Sequence, residues 1–217
     1  GVPFEGIIGG GFLYTARETI HLGFAARIES LRHAGIGPSQ VMERFKEHPL
    51  VRRYIEGGDL QEYSAHMIPE GGFNAIGALA GNGVMIAGDA AGFVNMSLYK
   101  EGTNHAMETG RAAGETAAEA KKTGDFSAQG LAGYERRVRG GVAYADLRRY
   151  RKVPEVLEAS PNLLSLYPRK VNRMLIDFFT LTDTPKQVQQ RKAIRNFLRG
   201  LPKFRFVRDL IRARHLA

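Results

Sequence analysis

The stretch that most restricts the fold of this chain is Val84-Met85-Ile86-Ala87-Gly88-Asp89, succeeded about a dozen residues later by a long helical pattern. Four apolar residues in a row, bounded by the turn signals Gly81-Asn82-Gly83 and Gly88-Asp89, read as a short strand buried on both faces, as in a parallel sheet. Such a strand delivers Asp89 to its carboxyl end, the edge at which open α/β sheets bind ligands. An aspartate there can accept hydrogen bonds from sugar-type hydroxyls, and Gly88 permits close approach of a ligand. Further on, Glu101-Gly102-Thr103-Asn104 sets up the N-terminus of a helix from about Gly102 to Lys122, whose free N–H groups and positive dipole end suit an anion. Ala106, Gly110, Ala113 and Ala117 would give that helix one face of small residues. Taken alone, that face reads as tight helix–sheet packing. Joined to the strand, the Gly-Asp break and the glycine-started helix, it reads as a cofactor cradle. The expected class is α/β, α+β over this stretch of chain.

A second glycine-rich stretch, "GIIGGGFLYT" at residues 6–15, invites comparison with the G-x-G-x-x-G turn that holds a pyrophosphate. Gly9 and Gly11 fill the first two positions, but Tyr14 occupies the third, where close helix–strand packing demands glycine. Beyond Tyr14, residues 19–28 roughly alternate apolar and polar side chains in a β-friendly manner. The spacing predicts a hairpin, Phe12–Thr15 with Thr19–Ile28, rather than a phosphate-binding turn.

Elsewhere, Pro38, Pro49 and the Gly57-Gly58 pair frame two short helices. "DLQEYSAHMI", residues 59–68, is strand-like. Helical patterns then cover 129–152, 154–159, 168–179, 185–199 and 204–214, separated by turn-forming residues and by Pro161, Pro168, Pro185 and Pro202. The expected organisation is a sheet-and-helix region over 1–80, a strand–Gly-Asp–helix unit over 81–125 and a basic helical region over 126–217. The chain begins with Gly1 rather than Met and enters directly into strand-like sequence, which reads as a processed or excised segment of something longer or as the trace of a cleaved tag.

Charge sharpens this division. Residues 1–125 carry 11 Lys and Arg against 15 Asp and Glu, whereas residues 126–217 carry 20 against 7. A basic half so marked seeks an anionic partner or forms a solvated helical surface. The chain has no cysteine, which excludes disulfides, thiolate metal sites and iron–sulfur ligation by its own residues. Its six histidines show no HxH or HExxH spacing, so each reads as a surface or hydrogen-bonded residue. No apolar run approaches a membrane span and no secretory pattern opens the chain.

"IAGDAAGFVN" (86–95) with "EGTNHAMETGRAA" (101–113) resembles the second FAD motif of glutathione-reductase-type flavoproteins. More closely, it is similar to the electron-transfer-flavoprotein–quinone oxidoreductases and their FixC relatives. "GGGFLYTARETIHLGF", "FKEHPLVRRYIEGG" and "EYSAHMIPEGG" resemble segments of the same family, in that order. The resemblance is good over residues 1–120 and general beyond. It implies the C-terminal part of a two-domain FAD flavoprotein: a substrate-side sheet hairpin, the last FAD-domain strand and helix, then helices. The family's G-x-G-x-x-G lies upstream of the matching region, so this segment alone is expected to be inactive.

In that family Asp89 would contact the ribityl or pyrophosphate part of FAD, with Gly88, Ala90, Ala91 and Gly92 shaping the turn. The backbone near Glu101, Gly102, Thr103 and Asn104 would face the pyrimidine edge of the flavin. A positive helix end there stabilises the negative charge that reduction builds. The resemblance further implies electron passage from an electron-transfer flavoprotein to FAD and on to a quinone or a separate ferredoxin-like protein. Longer members carry their own iron–sulfur cluster, which the missing cysteines rule out here. Geranylgeranyl-reductase-like and aromatic-hydroxylase-like flavoenzymes share the Gly-Asp motif, and a non-catalytic membrane-surface or partner-binding module is the reading from another class.

Residues 191–217 hold nine basic residues and one acid, Asp209. Phe204, Val207, Leu210 and Ile211 could share a face of a basic amphipathic helix. Such a face either packs on its own domain, the preferred expectation, or lies on an anionic membrane. The second outcome would make a cytoplasmic chain peripheral to the inner face of the membrane. Nucleic acid is disfavoured as a partner, since no aromatic-interleaved groove accompanies the charge.

Overall fold

The computed structural model describes residues 4, 6–95, 97 and 101–216. The protein is a mixed α/β chain with small antiparallel sheets and a helical C-terminal region. It divides into two compact units, Gly1–Tyr63 with Leu157–Arg212 and Ser64–Val156 with Ala213–Ala217.

In the first unit the alternating sequence after the glycines forms the expected hairpin, β1 (Gly9–Thr15) with β2 (Ile20–Ala26), in a register that runs from Gly9 opposite Ala26 to Thr15 opposite Ile20. The three glycines lie within the strand, and Gly11 explains one of them. A side chain there would collide with the Phe45 ring, which packs with Phe4 in a core that includes Ile7, Leu31, Val41 and Val51. The glycine serves strand–helix packing, so the phosphate-turn match fails in three dimensions as it did in sequence. Three helices come next: α1 (Ile28–Ala34), α2 (Pro38–Glu47) and α3 (Pro49–Ile55). Prolines at the first helical position start the latter two. α1 replaces the expected end of the second strand, because the alternation stops at Ile28-Glu29 and Ser30 anchors the turn through Oγ to the Arg27 carbonyl, 2.7 Å.

The same unit holds α8 (Leu166–Phe179), α9 (Lys186–Leu198) and α10 (Lys203–Ala213). α8 and α9 form an antiparallel pair in which each helix closes the other's end. Gln189 Nε2 donates to the carbonyls of Asp177 and Thr180 at the end of α8. Lys170 Nζ donates to that of Arg199 just beyond α9. α10 is held by Asp209, whose carboxylate, fully buried, accepts from Ser160 Oγ at 2.9 Å and Tyr167 OH at 2.7 Å.

The second unit is built on α4 (Thr103–Thr123), packed against α5 (Ala132–Arg139) and α6 (Val142–Arg149). Its core joins Leu79, Phe93, Ala112, Tyr134, Val138, Ala143 and Leu147. Helix α7 (Val153–Ala159) comes after α6. Three expectations are corrected in this part of the sequence. Residues 59–68 form no regular structure. The helix expected over 129–152 is broken at Gly140-Gly141, where glycine removes helix propensity and the Glu108 carboxylate caps α6 by accepting from Ala143 N–H at 2.9 Å.

The third correction concerns the strand at 84–87. It is reduced to β4 (Val84–Met85), paired antiparallel with β3 (Ala80–Gly81) across the Gly81–Gly83 turn. Val84 and Ile86 are exposed. The tight turn directs the segment onto its immediate neighbour, and among the described residues the other two strands pair only with each other. A strand without flanking partners cannot be buried on both faces.

Candidate functional site

Gly88 sits where β4 has ended and a single 3₁₀ turn, Gly88–Ala91, begins. Its φ of 58° lies in the left-handed region, and a Cβ there would stand 3.1 Å from the Ala106 methyl. Glycine is thus required twice, by conformation and by the closeness of α4. The turn is tied to that helix by Gly88 N–H donating to Thr109 Oγ1 at 2.9 Å. Gly92, also left-handed, ends the turn, with its N–H donating to the Asp89 carbonyl at 2.9 Å.

The remaining expected residues converge on the same place. Gly102 is the N-cap of α4, no side chain among the described residues caps it, and a Cβ on it would lie 3.7 Å from Asp89 Oδ1. Asp89, Ala90, Thr103 and Asn104 are exposed; Ala91, Gly92, Glu101 and Gly102 are half-buried. Glu101 orients the approach to the helix. Its Oε1 accepts from Asn104 Nδ2 at 3.1 Å and its Oε2 from the buried Asn95 Nδ2 at 3.3 Å. A glycine floor, an aspartate on its rim and an uncapped helix end beside it fit an elongated group with both hydroxyls and negative charge.

The small-residue face plays a narrower part than expected. Ala106 meets Gly88, but Gly110 is exposed, and the buried seam of α4 runs through His105, Thr109, Ala112, Thr116 and Ala120. Thr109 and Thr116 remain dry because their hydroxyls donate to carbonyls one turn back. His105 departs from the expectation of a surface or hydrogen-bonded histidine: it is 1% exposed, and neither ring nitrogen has a hydrogen-bond partner among the described residues. The Glu101–His105 spacing of four, one helical turn, was the available signal. Asp146, from α6, completes that surrounding and has no signal in its own neighbourhood.

The other candidate surface is α10. Phe206 packs edge-on to Tyr167 with ring centroids 5.0 Å apart, and Asp209 faces inward with it. Phe204, Val207, Leu210 and Ile211 are exposed, Phe204 at 96%. The preferred expectation, that this stripe packs on its own domain, is overturned, because the buried arc of α10 belongs to Phe206 and Asp209 instead. Beside it an open groove is lined by Arg195, Leu198, Arg199, Lys203, Phe206 and Val207. No helix among the described residues is long and apolar enough to cross a membrane.

A short strand, a Gly-Asp turn and the glycine-capped start of α4 are thus brought together at one place. The model of the ETF-QO/FixC family C-terminal domain matches residues 153–215. The chain is 39% identical over 213 residues to the probable electron transfer flavoprotein-quinone oxidoreductase YdiS of Escherichia coli K12, covering 98% of this chain and 49% of that protein. It is 40% identical over 197 residues to Protein FixC of the same organism, covering 90% and 46%. Against Protein FixC of Azotobacter vinelandii the identity is 34% over 194 residues, covering 89% and 45%. The chain belongs to the ETF-QO/FixC family and spans about half the length of the curated relatives it matches.

Proposed function

We propose that this chain is part of a FAD-dependent oxidoreductase of FixC type, which passes electrons from an electron-transfer flavoprotein to a quinone or a separate ferredoxin-like protein. The observation that carries the reading is the cradle of Gly88, Asp89 and the uncapped N-terminus of α4. Bound FAD would supply the redox chemistry, and the chain's own residues hold and tune it. Asp89 accepts hydrogen bonds from the hydroxylated chain, Gly88 through Gly92 provide a floor without side-chain bulk, and the N–H groups at Gly102, Thr103 and Asn104 face the edge that gains negative charge. In this reading residues 1–80 form the substrate side, 81–125 belong to the cofactor domain and 126–217 form the basic helical region.

The intact gene product is expected to absorb at about 450 nm, as flavins do. A colourless intact protein would overturn the reading. Faster flavin reduction by electron-transfer flavoprotein than by NAD(P)H separates it from a hydroxylase-like enzyme.

The exposed stripe of α10 adds peripheral contact with an anionic membrane, which a quinone-linked enzyme needs. Phe204 and its neighbours present apolar surface, and Arg205, Arg208 and Arg212 lie along the same helix, a pairing that suits lipid headgroups over an acyl layer. Sedimentation with phosphatidylglycerol vesicles is expected, and with phosphatidylcholine much less. Equal sedimentation with both, or none with either, counts against it.

A further inference from the structure

The geometry points to a divalent transition-metal site formed by Glu101, His105 and Asp146, which clamps α6 to the entry of α4. One donor atom from each of these residues lies within 4.8 Å of the other two. A single point therefore lies within about 2.8 Å of all three, and closing on an ion at about 2.0–2.2 Å asks each side chain to move by about 0.7 Å. The set of one imidazole and two carboxylates suits zinc, manganese, iron(II) or cobalt rather than a soft thiolate-seeking ion.

Two carboxylates alone would not make a site. The second observation is His105 itself, which is almost wholly buried yet has no hydrogen-bond partner among the described residues at either ring nitrogen. Buried polar atoms are almost always satisfied, so an imidazole left without a partner marks a missing one. Its Nε2 stands 4.0 Å from Glu101 Oε2, beyond hydrogen-bond reach and a few tenths of an ångström wider than the roughly 3.4 Å between two tetrahedral ligands of one ion, a gap the movement above closes. The surroundings are prepared in the way metal sites require. Asn104 donates to Oε1 and Asn95 to Oε2 of Glu101, which orients its carboxylate, and Glu108 caps α6 and so fixes the helix that carries Asp146. The bound ion would join two helices beside the N-terminus of α4, a structural role that owes nothing to flavin.

The test uses the full chain, stripped with a chelator and titrated with Zn²⁺ or Co²⁺ by calorimetry. One saturable site per chain is expected, with a visible cobalt spectrum indicating nitrogen and oxygen ligands and a higher melting temperature with metal. Asp146→Ala, a half-exposed substitution on α6 that leaves the core intact, is expected to weaken binding more than tenfold and to abolish the thermal shift, by analogy with losses of about 10–100-fold when even supporting residues are removed. His105→Gln is expected to do the same. Absence of saturable binding, or binding unchanged in Asp146→Ala while circular dichroism shows a folded protein, overturns the assignment. Because the readouts are calorimetric and cobalt-based, a colourless intact protein would leave this result standing.

Discussion

The unit around α4 and the helices α8–α10 solve the same problem, holding basic, glycine-rich or helical sequence together, in opposite ways. Around α4, single polar side chains close long-range links: Tyr134 OH to the Ile86 carbonyl at 2.7 Å, Thr109 to Gly88, and Glu108 to the start of α6. The first two fix backbone beside the candidate cradle, and the third fixes the start of α6. In α8–α10 the polar links gather at helix ends and at Asp209, while the outward faces keep Val171, Leu175, Ile176 and Phe179 as well as the α10 stripe exposed. The first arrangement rigidifies the Gly88 turn against α4. The second leaves an exposed apolar stripe with cations beside it, the kind of patch that marks interaction surfaces.

Substitutions can break this contrast. The largest effect is expected at Gly88→Val, where a β-branched residue must adopt a left-handed conformation against Ala106. A loss of about 2–4 kcal/mol, read from urea denaturation, is expected, together with loss of flavin from the intact protein. Asp209→Ala strands two buried hydroxyls and is expected to cost about 2–3 kcal/mol. A result near zero there would mean that the buried carboxylate does not anchor α10.

Tyr134→Phe removes one link and is expected to cost about 1 kcal/mol. Both tyrosines also confer a pH dependence. Burial raises the Tyr134 phenol above its ordinary value, and burial together with the hydrogen bond to Asp209 does the same for Tyr167. Their stabilisation is fully present below the unfolded value of about 10 and is lost as pH rises through the higher folded values. Denaturation midpoints should therefore fall above pH 10, less steeply in Tyr167→Phe than in the parent. The smallest effect on stability is expected at Phe204→Ser, within about 0.5 kcal/mol, yet vesicle binding should drop sharply. A large loss of stability instead would show that Phe204 is packed.

The helical half was legible because prolines and amphipathic spacing are local signals. Pro168, Pro185 and Pro202 place three helices within two residues of the observed starts. The β1–β2 hairpin was equally legible, since Tyr14 and the alternation after it excluded a phosphate turn. The Gly88-Asp89 break and the glycine-capped start of α4 were legible too, because special backbone conformations leave glycine behind. The strand at 84–87 was misread because apolar composition reports that a segment can be buried, while pairing partners decide whether it is.

The sequence by itself determined the β1–β2 hairpin, the C-terminal helices, the turn at Gly88 and the basic character of the last helices, because each depends on residues within a few positions of one another. Only the tertiary structure decided that Gly11 accommodates Phe45, that the α10 stripe faces solvent because Asp209 and Phe206 take the buried arc, and that Asp146 meets His105 across two helices. Those outcomes depend on residues 34, three and 41 positions apart or on whole-helix rotation, where burial and pairing compete and no local pattern records which wins.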